Sequence, residues 1–238
     1  MKKGLTHIIF VIDRSGSMES IASDMIGGYN KFIKTQKETP GECFVSFYQF
    51  DDIYEAVFER VPLQDVKELT DKTYVPRNST ALYDAMGKTI TNYGLYLASI
   101  SEDERPDRVL FVTITDGMNN ASVNYTAQQV NEMITHQREV YKWDFVFLGS
   151  NIDSWDTGAS MGIAAGTTLQ YANTKGSVSG AFDSLSRNTR MYRCSAAPEA
   201  YAFKSDDYAV QDQFLDGDLK SKNKKQQKSS PTATTKKT

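Results

Sequence analysis

The sequence predicts a doubly wound α/β fold, with a mostly parallel sheet, an antiparallel hairpin at its edge and helices on both faces. Three observations lead there. Apolar runs rich in β-branched residues at 8–12, 109–114 and 145–148 are long enough for strands buried on both faces and too short for helices. Between them lie longer segments whose apolar residues recur at spacings of three and four, the period of an amphipathic helix. The alternation of the two patterns sets strands in parallel, with helical crossovers packed on the sheet.

The first run, Ile8 to Ile12, stops at Asp13, and Arg14-Ser15-Gly16-Ser17 follow, with Gly16 free to turn the backbone tightly. A helix comes next, with Met18, Ile21, Met25, Tyr29, Phe32 and Ile33 on one face, and Pro40-Gly41 ends it. Residues 43–50 and 53–61 are β-branched and aromatic and are separated only by Asp51-Asp52. So short a joint forces antiparallel pairing, hence the edge hairpin. Residues 62–78 are polar and suggest no regular element. Ser79-Thr80 then opens a helical pattern carrying Leu82, Met86, Ile90, Tyr93 and Leu97, and Thr80 reads as its N-cap when taken alone.

Arg105-Pro106-Asp107 breaks the chain before 109–115, a strand that repeats the first one's grammar by ending on an acid and a glycine, Asp116-Gly117. A simple turn is the plain reading of that pair. Thr126 caps a third helix with Val130, Met133, Ile134 and Tyr141 inward, and the strand at 145–148 runs out at Gly149-Ser150-Asn151-Ile152-Asp153. Beyond about 150 the pattern loosens into a short helix at 155–161, a short strand at 167–171 and a helix at 179–192. One domain over 1–215 is expected. Residues 216–238, rich in Lys, Gln, Ser and Thr and without aromatics, read as a disordered tail.

Charge is divided unevenly along the 238 residues. The formal net charge is -3, but residues 219–238 hold seven lysines and no acid, so residues 1–218 carry 20 bases against 30 acids. An acidic body is a poor nucleic-acid binder, leaving only weak contact through the basic tail. No stretch of about 18 apolar residues could span a membrane. The run after Met1-Lys2-Lys3 is too short for a signal peptide and ends on a charge, so a cytoplasmic location is expected. Cys43 and Cys194 match no metal or redox spacing, and His7 and His136 are isolated, which argues against zinc.

In sheets of this kind ligands bind beyond the C-terminal ends of the strands, where Asp13, Asp116 and Asp153 all fall. Asp13 with the hydroxyls of Ser15 and Ser17 offers oxygen donors to a hard cation. A Ser/Gly-rich turn capping a helix explains the same five residues. Two distant segments answer the first. Asp13-Arg14-Ser15-Gly16-Ser17 after one strand, Thr80 at the mouth of a helix and Thr115-Asp116-Gly117 after a later strand resemble the three-part metal-ion-dependent adhesion site (MIDAS) of von Willebrand factor type A domains. The parts stand in the family's order, and the resemblance covers roughly residues 5–195. Asn119-Asn120-Ala121-Ser122 and residues 147–153 resemble the stand-alone members found in bacteria and phages.

The resemblance implies a Rossmann-like fold in which Ser15 and Ser17 bind Mg2+ or Mn2+ through their hydroxyls. Thr80 adds a third hydroxyl when ligand is bound, and Asp13 and Asp116 act directly or through water. It further implies a non-enzymatic module that takes an Asp or Glu carboxylate of a partner protein, in bacterial relatives often beside an ATP-driven chaperone system. Two positions depart from the family pattern: Asn78-Ser79 precede Thr80 where glycines are common, and Met118 follows Gly117 where an acid is common.

An alternative is a Mg2+-dependent hydrolase, a nuclease or phosphatase using Asp13, Asp116 and Asp153. Three hydroxyls are of no use to such an enzyme. A third reading fills the site in cis with Asp212, Asp216 or Asp218. Arg14, Asn151, Asp153 and Trp155 are candidates for a recognition rim. For Trp155 core packing is the competing expectation, and for Arg14 solvation.

Overall fold

The structure is a computed structural model that describes residues 1–150, 153–195 and 201–215. Among the described residues there are six strands and six α-helices, in an order that follows the sequence reading up to the fifth helix: β1 (Lys2–Asp13), α1 (Ala22–Lys37), β2 (Cys43–Phe50), β3 (Tyr54–Pro62), α2 (Leu82–Ser99) and β4 (Pro106–Thr115). Then come α3 (Ala127–Tyr141), β5 (Asp144–Ser150), α4 (Ser154–Ser160), β6 (Thr168–Tyr171), α5 (Lys175–Cys194) and α6 (Ser205–Gln211).

The strands form one sheet in the order β3-β2-β1-β4-β5-β6. Every pairing is parallel except β2 with β3, the hairpin that occupies one edge. β1 lies at the centre, and register fixes what meets at its end. Asp13 stands opposite Phe50, and one residue before it Ile12 stands opposite Ile114. Asp13, Asp51 and Thr115-Asp116 are therefore brought to one rim by backbone pairing alone.

Two cores follow from the two-residue period of β1. Ile8, Phe10 and Ile12 enter one core with residues of α1 and α5, while Ile9 and Val11 enter the other with residues of α2 and α3. Phe10 is closed in by Tyr29 and Phe32, each 5.2 Å away edge to face, and its truncation to Ala would cost roughly 3–5 kcal/mol. α1 approaches α5 closely because residue 28 is Gly: a Cβ there would lie 2.2 Å from the Phe182 ring.

Several details differ from the sequence reading. The first helix opens as a 3-10 turn over Gly16–Ile21, because the Ser15 side chain makes no cap hydrogen bond and turns to Ser17. Tyr141, expected inward, is 54% exposed. Lys142, the next residue, ends α3 in the left-handed region. Thr126 does cap α3, in a reciprocal pair with Gln129.

The stretch 62–78 is anchored despite its polarity: Leu63, Val66, Leu69 and Tyr74 are buried, and Asn30 both donates to and accepts from the Leu69 backbone. α5 starts at Lys175, earlier than expected, capped by Thr174. α6 is an addition, and its Tyr208 packs 5.6 Å from Trp155. The expected tail at 216–238 lies outside the described residues, as does Asn151. Among the described residues no helix is long and apolar enough to cross a membrane.

Candidate metal centre

Asp13 is fully buried, and both its oxygens are held by neutral donors. Oδ1 accepts from the Ser15 backbone N–H at 2.7 Å and Oδ2 from the Thr115 hydroxyl at 2.5 Å. From there the polar chain continues outward. The Ser15 and Ser17 hydroxyls are 3.1 Å apart, and Ser17 Oγ donates to Asp116 Oδ1 at 2.6 Å. Asp116, 2% exposed, accepts on its other oxygen from Asn173 Nδ2 at 3.0 Å.

Thr80 reaches the same place from the loop that leads into α2. A Cβ on Gly117 would sit 3.4 Å from Thr80 Oγ1 and 3.7 Å from Ser17 Oγ, so the two hydroxyls border one small space that glycine leaves open. Thr80 is not the helix cap: Ala81 holds that position without a side-chain cap bond. Asn120 fixes it instead, accepting from Thr80 N at 2.8 Å and donating its own N–H to Thr80 O at 3.0 Å. The loop before it is tied to the Asp13 loop by Gly16 N to Asn78 O at 3.0 Å and Arg77 N to Arg14 O at 2.7 Å. Asn78 has φ +55°, a conformation that Asn tolerates better than most non-glycine residues, so its presence where the resembling family often has glycine is physically reasonable.

Burial dominates the electrostatics. It pushes the Asp13 carboxyl up to about 6, with the Thr115 and Ser15 hydrogen bonds pulling down and the charge of Asp116 adding a little. Asp116 is raised by burial as well, against hydrogen bonds from Ser17 and Asn173. Two carboxylates kept from water and met only by neutral donors favour a cation between them.

Five sequence-predicted residues, Asp13, Ser15, Ser17, Thr80 and Asp116, are thus gathered at one point. The donor set contains oxygen only, which suits Mg2+ or Mn2+. Among the described residues no three His, Cys, Asp or Glu side chains gather as a metal cluster, because most of the donors here are hydroxyls.

The expected rim is corrected in two places. Arg14, 4% exposed, is neither solvated nor turned to a ligand: Nη1 pairs with Glu55 at 2.7 Å and Nε lies 3.4 Å from Asp51 Oδ2. Trp155 is 7% exposed and belongs to the core, the competing expectation. Asp153 caps α4 by accepting from Asp156 N at 3.2 Å. Of the acids considered for filling the site in cis, Asp212 closes α6 with its N–H on Tyr208 O, and Asp216 and Asp218 fall outside the described residues.

Sequence reasoning missed Tyr74, whose hydroxyl donates to Asp13 O at 2.5 Å, Tyr171, which donates to Thr115 O at 3.4 Å, and Asn120 and Asn173. Of these, Asn120 alone had a signal, inside the Asn119-Asn120-Ala121-Ser122 segment.

No family model and no curated protein sequence matches the chain. Solved structures do. Proximal thread matrix protein 1 from the mussel byssus, in a structure described as having a zinc-occupied MIDAS motif, superposes with a TM-score of 0.54 at 14% identity, covering 79% of this chain and 46% of that one. The vWF domain of the type V pili tip protein Mfa5 from Porphyromonas gingivalis gives 0.56 at 9% identity, over 81% of this chain and 97% of that one. The pilus adhesin SpaC from Lactobacillus rhamnosus GG gives 0.58 at 13%, over 80% and 31%. The chain therefore spans less than half the length of the mussel protein and of the adhesin. At these identities the likeness is one of fold: the architecture is that of von Willebrand factor A domains.

Proposed function

We propose that the chain is a metal-dependent protein-interaction module that binds an acidic side chain of a partner through Mg2+ or Mn2+. The observation that carries this reading is the convergence of three hydroxyls and two buried acids at one strand-end rim, with the guanidinium of Arg14, the residue after Asp13, turned to Asp51 and Glu55. A bound cation would supply an electrophilic position open to an outside oxygen. Ser15, Ser17 and Thr80 would hold it as neutral donors, leaving much of its charge unquenched. Asp13 and Asp116 would balance the remainder from positions fixed by Thr115, Ser15 N–H, Ser17 and Asn173. A partner carboxylate is the group this arrangement is short of.

The zinc-occupied MIDAS of the mussel protein supports a divalent ion at this place in the fold. The all-oxygen donor set here favours the harder ions Mg2+ and Mn2+. The pilus adhesin and pilus tip protein support adhesion or binding over catalysis, and Asp153, which a hydrolase would need at the centre, caps α4. We place the module in the cytoplasm, where both cysteines, free in the structure, would stay reduced. A subunit of an ATP-driven chaperone-type system fits as partner.

Calorimetric titration of Mg2+ and Mn2+ into wild type and Asp13→Ala tests the metal, and capture from lysate in Mg2+ or EDTA, with Thr80→Ala as control, tests the partner. Heat of binding is expected with wild type only, and a protein retained only by wild type in Mg2+. Equal heats from the two proteins would sink the reading.

A further inference from the structure

Asn173 stands between β6 and α5, 57 residues beyond Asp116, and touches the site with one end of its amide. Nδ2 donates to Asp116 Oδ2 at 3.0 Å. That bond fixes which way the amide faces, since the reverse orientation would set a carbonyl oxygen against a carboxylate oxygen. Oδ1 is then the amide atom left over; it is shielded from solvent and has no hydrogen-bond partner. Among the described residues the amide oxygens of Gln49 and Asn188 are also buried and unpaired, so what distinguishes Asn173 Oδ1 is its place beside an acidic, hydroxyl-rich centre, where an ion or its water would answer it.

The residue is held firmly in place. On one side Ala172 N–H donates to Ser177 Oγ at 2.7 Å, and on the other Thr174 caps α5 by accepting from Ser177 N. Ser177 Oγ in turn donates to Gln211 Oε1 at 2.5 Å, and Gln211 Nε2 donates back to Ser177 O at 3.1 Å. Both ends of the connection are pinned to buried groups. A residue needed only to close the loop would spend both ends of its amide on the loop.

We propose that Asn173 is a sixth residue of the metal centre, orienting Asp116 through Nδ2 and offering Oδ1 to the cation or its water shell. The proposal rests on the reading of the site as a metal centre. It assigns the β6–α5 connection a part in that centre that no motif in the sequence marks. Residues in this supporting position change metal affinity by about 10- to 100-fold when removed.

The test is Mn2+ titration of wild type, Asn173→Ala and Asn173→Asp, with thermal melts in EDTA and in Mn2+ beside it. Asn173→Ala should bind Mn2+ about 10- to 100-fold more weakly while its metal-free melt stays close to wild type. Asn173→Asp keeps an oxygen but loses the Nδ2 donor and sets a second carboxylate against Asp116, so its metal-free form should melt below wild type and Mn2+, which relieves that repulsion, should raise its melt more than it raises the alanine variant's. A residue with only a structural role would not show that split. The proposal is overturned if Asn173→Ala binds within about twofold of wild type, or if Mn2+ raises the Asn173→Asp melt no more than it raises the alanine variant's. Should Asn173→Ala fail to fold, the rise of the Asn173→Asp melt in Mn2+ is set against that of wild type instead. Absence of Mn2+ binding by wild type overturns this proposal and the functional reading together. The expected split without any partner captured would leave Asn173 in the metal centre and remove only the carboxylate-binding function.

Discussion

Asp13 and Asp51 are both fully buried carboxylates at the same rim, one at the end of β1 and the other one residue past the end of its neighbour β2, yet they have opposite company. Asp51 Oδ2 faces two guanidinium groups, Arg77 Nε at 2.5 Å and Arg14 Nε at 3.4 Å, while Oδ1 takes the Ile53 N–H at 2.6 Å. Its charge is answered within the chain. Asp13 receives only a hydroxyl and an amide N–H, and its nearest acidic neighbour adds repulsion. The Asp51 carboxylate closes a loop. The Asp13 carboxylate has no cationic side chain among its hydrogen-bond partners.

That contrast can be broken most directly by removing each acid. Asp13→Ala should abolish Mg2+ and Mn2+ binding while the far-UV spectrum and the melt in EDTA survive. Retained binding would mean that Asp13 is as structural as Asp51. Asp51→Ala should cost about 3 kcal/mol in urea unfolding, because it leaves the Arg14 guanidinium buried with only the half-exposed Glu55. A loss below about 1 kcal/mol would show that the Arg14–Asp51 contact carries little.

Acidity sharpens the comparison further. Asp13 titrates near 6 when folded against about 3.8 when unfolded, so between those values the native state keeps a proton that the unfolded chain has released. The stability this contributes is present at low pH and disappears as pH rises through 6. Relative to Asp13→Asn, metal-free wild type should lose on the order of 2–3 kcal/mol between pH 4 and 7. Saturating Mn2+ should restore it at pH 7. Melts of the two proteins that run parallel with pH would contradict the assignment. The smallest effect is expected at Arg77, whose side chain is 45% exposed: Arg77→Ala should lower the melting temperature less than Asp51→Ala and leave Mn2+ affinity intact.

What could be read in the sequence was whatever leaves a local trace. β1 is buried on both faces, so its apolar run has no polar interruptions and its end at Asp13 is sharp. The hairpin followed from a two-residue joint, and the five oxygen donors from motifs in a fixed order. The groups that hold those donors left no such trace. Tyr74 reaches Asp13 from 61 positions away, out of a segment whose four buried apolar residues are diluted among polar ones. Thr115 sat in the quoted motif, but its bond to Asp13 depends on the β1–β4 register, which single-sequence periodicity does not reveal. Arg14 was misjudged for a related reason: its partners Asp51 and Glu55 lie across the sheet in the hairpin. α6, at seven residues, is too short to display a period.

The reciprocal bonds between Ser177 and Gln211 bear on how the chain can be shortened for crystallisation or fusion. Ser177 also receives the Ala172 N–H, next to Asn173 and hence next to Asp116. Trimming that removes α6 would take the partner from the buried Ser177 hydroxyl, uncover Trp155 and loosen a loop whose next residue holds Asp116. A cut made for convenience at one end of the sequence would thus be felt by an acid nearly a hundred positions earlier, and a truncated variant that binds metal poorly would say little about the lysine-rich segment it lacks.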